Sequence, residues 1–154
     1  GARGIFQVEE IIKKELRPRH KEICYVLNSV YGINTKIVTP ASNPMLRPVM
    51  KREEIEQMIE EMPRLESEWI DDKRTREEVY RKILAEGDGR KLAQLIKSIY
   101  TQKQDKLRDR KSISRSDAEI LEQAEELLHE EISLSFQIKK EEVADYLLCR
   151  LKDQ

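Results

Sequence analysis

The chain has 154 residues, enough for one domain or two small ones. Hydrophobic and charged residues each make up 38%, so any core is slim and much charged surface remains. The formal net charge of −1 argues nothing about nucleic acid, no apolar run approaches membrane length, and no signal-peptide pattern opens the chain.

The distribution of charge says more than its sum. Residues 1–68 carry 11 basic and 11 acidic side chains, residues 69–115 carry 14 and 8, and residues 116–154 carry 4 and 11. A basic middle beside an acidic end can hold a polyanion locally. Equally, the two segments can pair with each other in the fold. Cys24 and Cys149 stand far apart with no CxxC or Cys/His cluster, which fits a reducing compartment. A soluble cytoplasmic protein is the expectation. Gly1 replaces an initiator methionine and the chain enters a strand almost at once, as if earlier residues were missing.

Residues 5–39 read as strands. Ile5–Ile12 is rich in β-branched residues, and Glu22–Ser29 alternates, with Ile23, Tyr25 and Leu27 on one face and Cys24 and Val26 on the other. Arg17, Pro18 and Arg19 interrupt the pattern between them, since proline donates nothing to a ladder. Val30–Asn34 reads as a turn, and Thr35–Thr39 as a third strand stopped by Pro40. Three short antiparallel strands in this length predict a small, bent sheet or barrel over residues 1–43. Pro44 and Pro48 mark 44–50 as a linker between two units.

Residues 51–154 are helical in pattern. Lys51–Met62 repeats Ile55, Met58, Ile59 and Met62, and Pro63 ends it. A second helix is expected from Ser67, with Trp69, Ile70, Val79, Tyr80, Ile83 and Leu84 on its inner face. Gly87 closes it and Asp88 caps a third, carrying Leu92, Leu95, Ile96, Ile99, Tyr100 and Leu107. Asp105–Ser116 reads as a charged connection with Lys106, Arg108, Arg110, Lys111 and Arg115. Ser114 and Asp117 resemble a capping box for the longest helix, with Ile120, Leu121, Ala124, Leu127, Leu128, Ile132 and Leu134. The last helix, Lys140–Leu151, shows Val143, Tyr146, Leu147, Leu148 and Leu151. The expectation is an α+β chain: a small antiparallel β domain followed by a compact five-helix domain.

The stretch Ser67–Arg76 holds the only tryptophan, with Lys73, Arg74 and Arg76 close behind it. If the segment is helical, Trp69 and Lys73 share one face. An aromatic plate beside cations serves an unstacked base or a phosphate backbone. It is also what a core tryptophan with a solvated flank looks like. Cations at Lys73, Arg74, Arg76, Arg81, Lys82, Arg90, Lys91 and Lys97 fall on two neighbouring helices and would neutralise several phosphates. No P-loop, GxGxxG or GxSxG is present, and His129 among glutamates lacks a second ligand at metal spacing. No catalytic residue, metal or cofactor is expected, so the chain reads as a non-enzyme.

Several of these stretches occur in one order: Gly4–Glu9, Tyr25–Leu27, Thr39–Asn43, then Glu68 and Trp69, Tyr80–Ile83, Glu86–Asp88, Leu92–Tyr100, and Ser114–Asp117 opening a long helix. In that order and spacing the chain resembles the CarD family of bacterial transcription regulators, also called CdnL-like, over nearly its whole length. The resemblance implies a Tudor-like N-terminal domain, shared with transcription-repair coupling factor, that binds the β subunit of RNA polymerase. It implies a helical C-terminal domain that meets promoter DNA at the upstream edge of the bubble and stabilises the open complex. Trp69 occupies the position of the family's minor-groove wedge. Lys73, Arg74, Arg76, Arg81, Arg90, Lys91 and Lys97 would contact DNA backbone with little base readout. Polymerase contact would fall on Lys14 and on the strand Lys36, Ile37 and Val38, by pairing through a strand edge.

Two departures stand out. Asp71 and Asp72 follow the tryptophan where the best-known members carry basic residues, which moves the expected phosphate contacts to Lys73, Arg74 and Arg76. The family's first strand normally precedes Gly1. Without it the β domain lacks a strand and would be open to pairing with another chain, for example as a domain-swapped homodimer. The competing reading is a helical adaptor that binds only protein, with Trp69 in its core. Burial of the indole separates the two.

Overall fold

The structure is a computed structural model that describes residues 3–152, with side chains for residues 3–150. It divides into two compact units, one from Arg3 to Val49 and one from Met50 onward. The chain is α+β, with the antiparallel strands in the first unit and the helices in the second.

The first unit is a three-stranded antiparallel sheet: β1 (Phe6–Arg17), β2 (His20–Ser29) and β3 (Lys36–Pro40). Spatial order follows sequence order, so β2 is central and β1 and β3 are both edges. β1 runs five residues beyond the expected end at Ile12. Pro18 does not break it: Pro18 and Arg19 form the two-residue loop between paired Arg17 and His20. Proline suits the first turn position because its fixed φ is already correct there. Arg19 takes the left-handed second position at φ 64°, and its N–H donates to Glu15 Oε1 at 2.8 Å. Bulges between Val8 and Glu10 and between Glu15 and Arg17 bend β1 and increase its twist. Cys24 and Leu27 are the buried apolar side chains of this unit. Being three residues apart on one strand, they point to opposite faces, so both faces of the sheet are partly covered.

The second unit holds α1 (Arg52–Glu61), a short 3₁₀ turn (Met62–Arg64), α2 (Lys73–Glu86), α3 (Gly89–Arg108), α4 (Arg115–Phe136) and α5 (Lys140–Lys152). One buried cluster joins Ile55, Met58, Ile59, Ala93, Leu128, Ile132, Phe136 and Val143. A second joins Tyr80, Leu84, Leu92, Leu95, Ile99, Ile120, Leu121 and Ala124. α3 and α4 contribute to both, so they form the spine on which the other helices lie. The caps are chemically ordinary. Asp88 accepts from Lys91 N–H, Ser114 accepts from Asp117 N–H, and Gly87 closes α2 at φ 67°.

Several expectations differ from what is observed. α2 begins at Lys73, not near Ser67, because Asp72, itself extended, caps it and accepts from Thr75 N–H. α3 runs through the expected connection as far as Arg108. Tyr100, Leu107, Leu134, Leu148 and Val79 are exposed, although the periodic pattern placed them inside. In their place Arg76, Asp117, Glu131, Ser98 and Ser133 are buried. The interior of this charged chain is therefore partly polar, and each buried polar group needs partners.

Candidate nucleic-acid interface

Trp69 lies in the non-helical segment between the 3₁₀ turn and α2, so its i+4 relation to Lys73 is not a helical one. Two hydrogen bonds pin this segment to neighbouring helices. Glu68 N–H donates to Ser98 Oγ on α3 at 3.2 Å, and the Tyr80 hydroxyl on α2 donates to the Glu68 carbonyl at 3.4 Å. Trp69 and Ile70 pack against the second cluster, and the indole is half-buried. The ring is thus neither a core residue nor a free plate: one part is seated and the rest meets solvent.

Arg76 completes the seat. Its Nε and Nη2 donate to the two carboxylate oxygens of Asp117, each at 3.0 Å. Its Nη1 donates to the carbonyls of Ile70 at 2.7 Å and Asp71 at 3.1 Å. The guanidinium carbon lies 4.2 Å from the centroid of the Trp69 ring, over its face. Asp117 is fully buried, and it also accepts from Ser114 Oγ at 2.6 Å. Burial pushes the Asp117 carboxyl up, but the bonds from Arg76 and Ser114 outweigh it and hold the group below the ordinary aspartate value. The bond to Asp117 correspondingly raises Arg76. The planar fork of arginine suits this place, since it can hold a carboxylate, two carbonyls and an aromatic face at once.

Asp71 and Asp72 take different parts. Asp72 accepts from Thr75 N–H at 2.8 Å and from the Thr75 hydroxyl at 2.6 Å, and these bonds lower its carboxyl. Its charge faces the positive end of α2 and is partly spent there. Asp71 contributes its carbonyl to Arg76, while its side chain is exposed.

The expected phosphate contacts separate into distinct groups. Arg76 faces inward, only 5% exposed, with its donors engaged. Lys97 caps the 3₁₀ turn, donating to the carbonyls of Met62 at 2.9 Å and Pro63 at 2.7 Å. Arg90 pairs with Glu61, and Lys91 pairs with Glu86, which raises it. Lys73 is exposed, 3.7 Å from Glu77. Arg74 and Arg81 are exposed and stand i, i+7 on one face of α2. The last turn of α3 adds Lys106 and Arg108, and the residues between α3 and α4 add Arg110 and Lys111. Ile113, between α3 and α4, packs against the cluster that carries Trp69, and Lys106 helps hold the Asp117 carboxyl down. Sequence periodicity gave Asp117 only a capping role. Its partner is 41 residues away, and no local pattern reports such a pairing.

In the β unit, Lys36 on edge strand β3 forms a 2.8 Å ion pair with Glu9 of β1, and Asn28 Nδ2 also donates to Glu9 at 3.0 Å. Ile37 is half-buried and Val38 is exposed. Lys14 lies on β1, the other edge, so the structure does not bring it beside Lys36–Val38. His129 is held below its ordinary value by burial and by Lys140. Among the described residues no group of His, Cys, Asp and Glu could hold a metal ion, and no helix is long and apolar enough to cross a membrane.

Comparison with known proteins gives one family. The family model described as CarD, C-terminal domain, matches residues 50–148, which is the helical unit almost whole. No curated protein matches the chain.

Proposed function

Because the chain belongs to the CarD family of non-catalytic transcription regulators, we propose that it tethers to the polymerase β subunit and touches promoter DNA at the upstream edge of the bubble, stabilising the open complex in the cytoplasm. The observation that carries this reading is the seat of Trp69. A partly buried indole is held on a hydrogen-bonded platform, just before a helix that opens with exposed Lys73 and Arg74. A wedge needs this: an apolar edge that does not collapse into the core, with positive charge nearby to meet phosphate.

The phosphate contacts are assigned to Lys73, Arg74 and Arg81 on α2, with Lys106 and Arg108 in the last turn of α3 and Arg110 and Lys111 just after it. Tethering is assigned to edge strand β3, where main-chain groups are open to an added strand and Lys36 supplies charge. The energetics are those of linkage. A protein that binds the open complex better than the closed one shifts their ratio by its differential affinity. Trp69 supplies part of that difference, because its site exists only where a base step is unstacked.

The test is the lifetime of a promoter open complex with wild type and with Trp69→Ala. The substitution is expected to shorten the lifetime about tenfold, the effect of losing one base–aromatic contact of roughly 1–3 kcal/mol. The packing of Trp69 on the second cluster favours a protein-only adaptor as the second reading. A folded Trp69→Ala that stabilises the complex as well as wild type would move the assignment there.

A further inference from the structure

We infer that Arg76 and Asp117 are positioning residues for Trp69: together they fix the pose of the indole and cover one of its two faces before any DNA arrives. This inference rests on the proposed role of Trp69 as a wedge and specifies how the wedge works.

The argument starts from what surrounds the ring. Its segment is not helical, so no helical ladder fixes the indole. Fixing falls instead to Glu68 through Ser98 and Tyr80, and to Arg76 through the carbonyls of Ile70 and Asp71. Arg76 contacts both the backbone after the tryptophan and the ring itself. Arg76 is in turn held by Asp117, which sits in the first turn of α4, locked by Ser114. The pose of the indole therefore depends on the start of a helix far along the chain.

A ring with both faces free can be sandwiched between two bases. This ring has a guanidinium on one face, so it stacks on a single base and presents its edge to the next. A preset pose also removes the cost of ordering the side chain on binding. That saving goes directly into the preference for the open complex.

Trp69 is the only tryptophan, so indole fluorescence of the full chain reads this pose directly. The variants are Arg76→Lys, which keeps the charge but loses the fork, Asp117→Asn, and the milder Ser114→Ala in case the first two unfold. Circular dichroism checks that the helices persist. Acrylamide quenching of Trp69 is expected to rise about twofold in Arg76→Lys and Asp117→Asn, as a second ring face opens. Their open complexes are expected to shorten toward the Trp69→Ala lifetime, and Trp69→Ala/Arg76→Lys is expected to be no worse than Trp69→Ala alone. Unchanged quenching in the folded variants overturns the inference. So does an additive loss in the double variant, which would make Arg76 an independent phosphate contact. If Trp69→Ala leaves the lifetime unchanged, the wedge reading fails, while quenching of the free protein still reports whether Arg76 covers the ring.

Discussion

Arg76 and Asp117 are joined by two parallel hydrogen bonds across 41 residues of chain, in a place where both side chains are buried. A buried pair of this kind adds little net stability against an apolar replacement, because desolvation offsets attraction. Removing one partner is a different matter, since the other is left buried with its charge uncompensated.

Arg76→Ala or Asp117→Ala should therefore cost about 3–5 kcal/mol. Arg76→Met/Asp117→Leu should cost clearly less than either single change. Urea unfolding followed by far-ultraviolet circular dichroism measures both. Additive losses in the double variant would show that the pair is not coupled.

Acid should weaken the helical unit in two separable ranges. The histidine His129 has a folded value below its ordinary one, so the unfolded chain takes up its proton first. Stability is then lost as pH falls below the ordinary histidine range, and His129→Gln should flatten that loss between about pH 7 and 5. Glu130, raised by burial, works in the opposite direction near the lower end of this range. The carboxyl of Asp117 is depressed, so its contribution is complete above the ordinary aspartate value and disappears as pH falls through the folded value. Urea midpoints across pH for wild type, His129→Gln and Asp117→Asn separate the terms. A wild-type curve that is flat on acidification contradicts them.

Salt dependence should sort the cations. Arg74→Ala and Arg81→Ala should each lower the slope of log affinity against log salt by about 1, as loss of one phosphate contact does. Arg90→Ala and Lys97→Ala should leave the slope unchanged, because Glu61 and the Met62 and Pro63 carbonyls hold those side chains. Titration of a promoter fragment at several salt concentrations gives the slopes.

Two helix ends invite opposite substitutions. Gly87 closes α2 at φ 67°, so Gly87→Ala should destabilise by about 1 kcal/mol. Arg110 occupies a similar left-handed position after α3, at φ 57°. Arg110→Gly should stabilise by roughly 0.5–1 kcal/mol while weakening DNA binding by one cation. Thermal unfolding paired with DNA titration reads both effects. A destabilised Arg110→Gly would count against this account of the turn.

Much of this architecture was legible in the residues. Period-two alternation in Glu22–Ser29 and the repeats of Ile55, Met58 and Ile59 place strand and helix because local geometry imposes those spacings. Ser114 and Asp88 were readable as caps for the same reason. What failed is either a choice between competing local signals or a pairing between distant residues. Ser67 resembled a cap, but Asp72 with Thr75 is the stronger one, and Trp69 was left outside the helix. Arg76 looked like surface charge because nothing near it in sequence announces Asp117. Pro18 looked like a break because proline reads alike in a gap and in the first position of a tight hairpin.

The bond from the Met50 N–H to Glu131 Oε1, at 2.7 Å, sets where the helical unit begins. On the other side, Leu46 N–H is still tied to the Asn43 carbonyl. Only Arg47, Pro48 and Val49 lie between these anchors, a leash of about 10 Å at full stretch. If the β unit docks on polymerase and the helical unit meets DNA, so short a leash holds the helical unit at a local concentration in roughly the millimolar range. Weak phosphate contacts would then suffice at the promoter and be too weak to retain the free protein on DNA elsewhere. A flexible insertion at Pro48 would dilute that advantage.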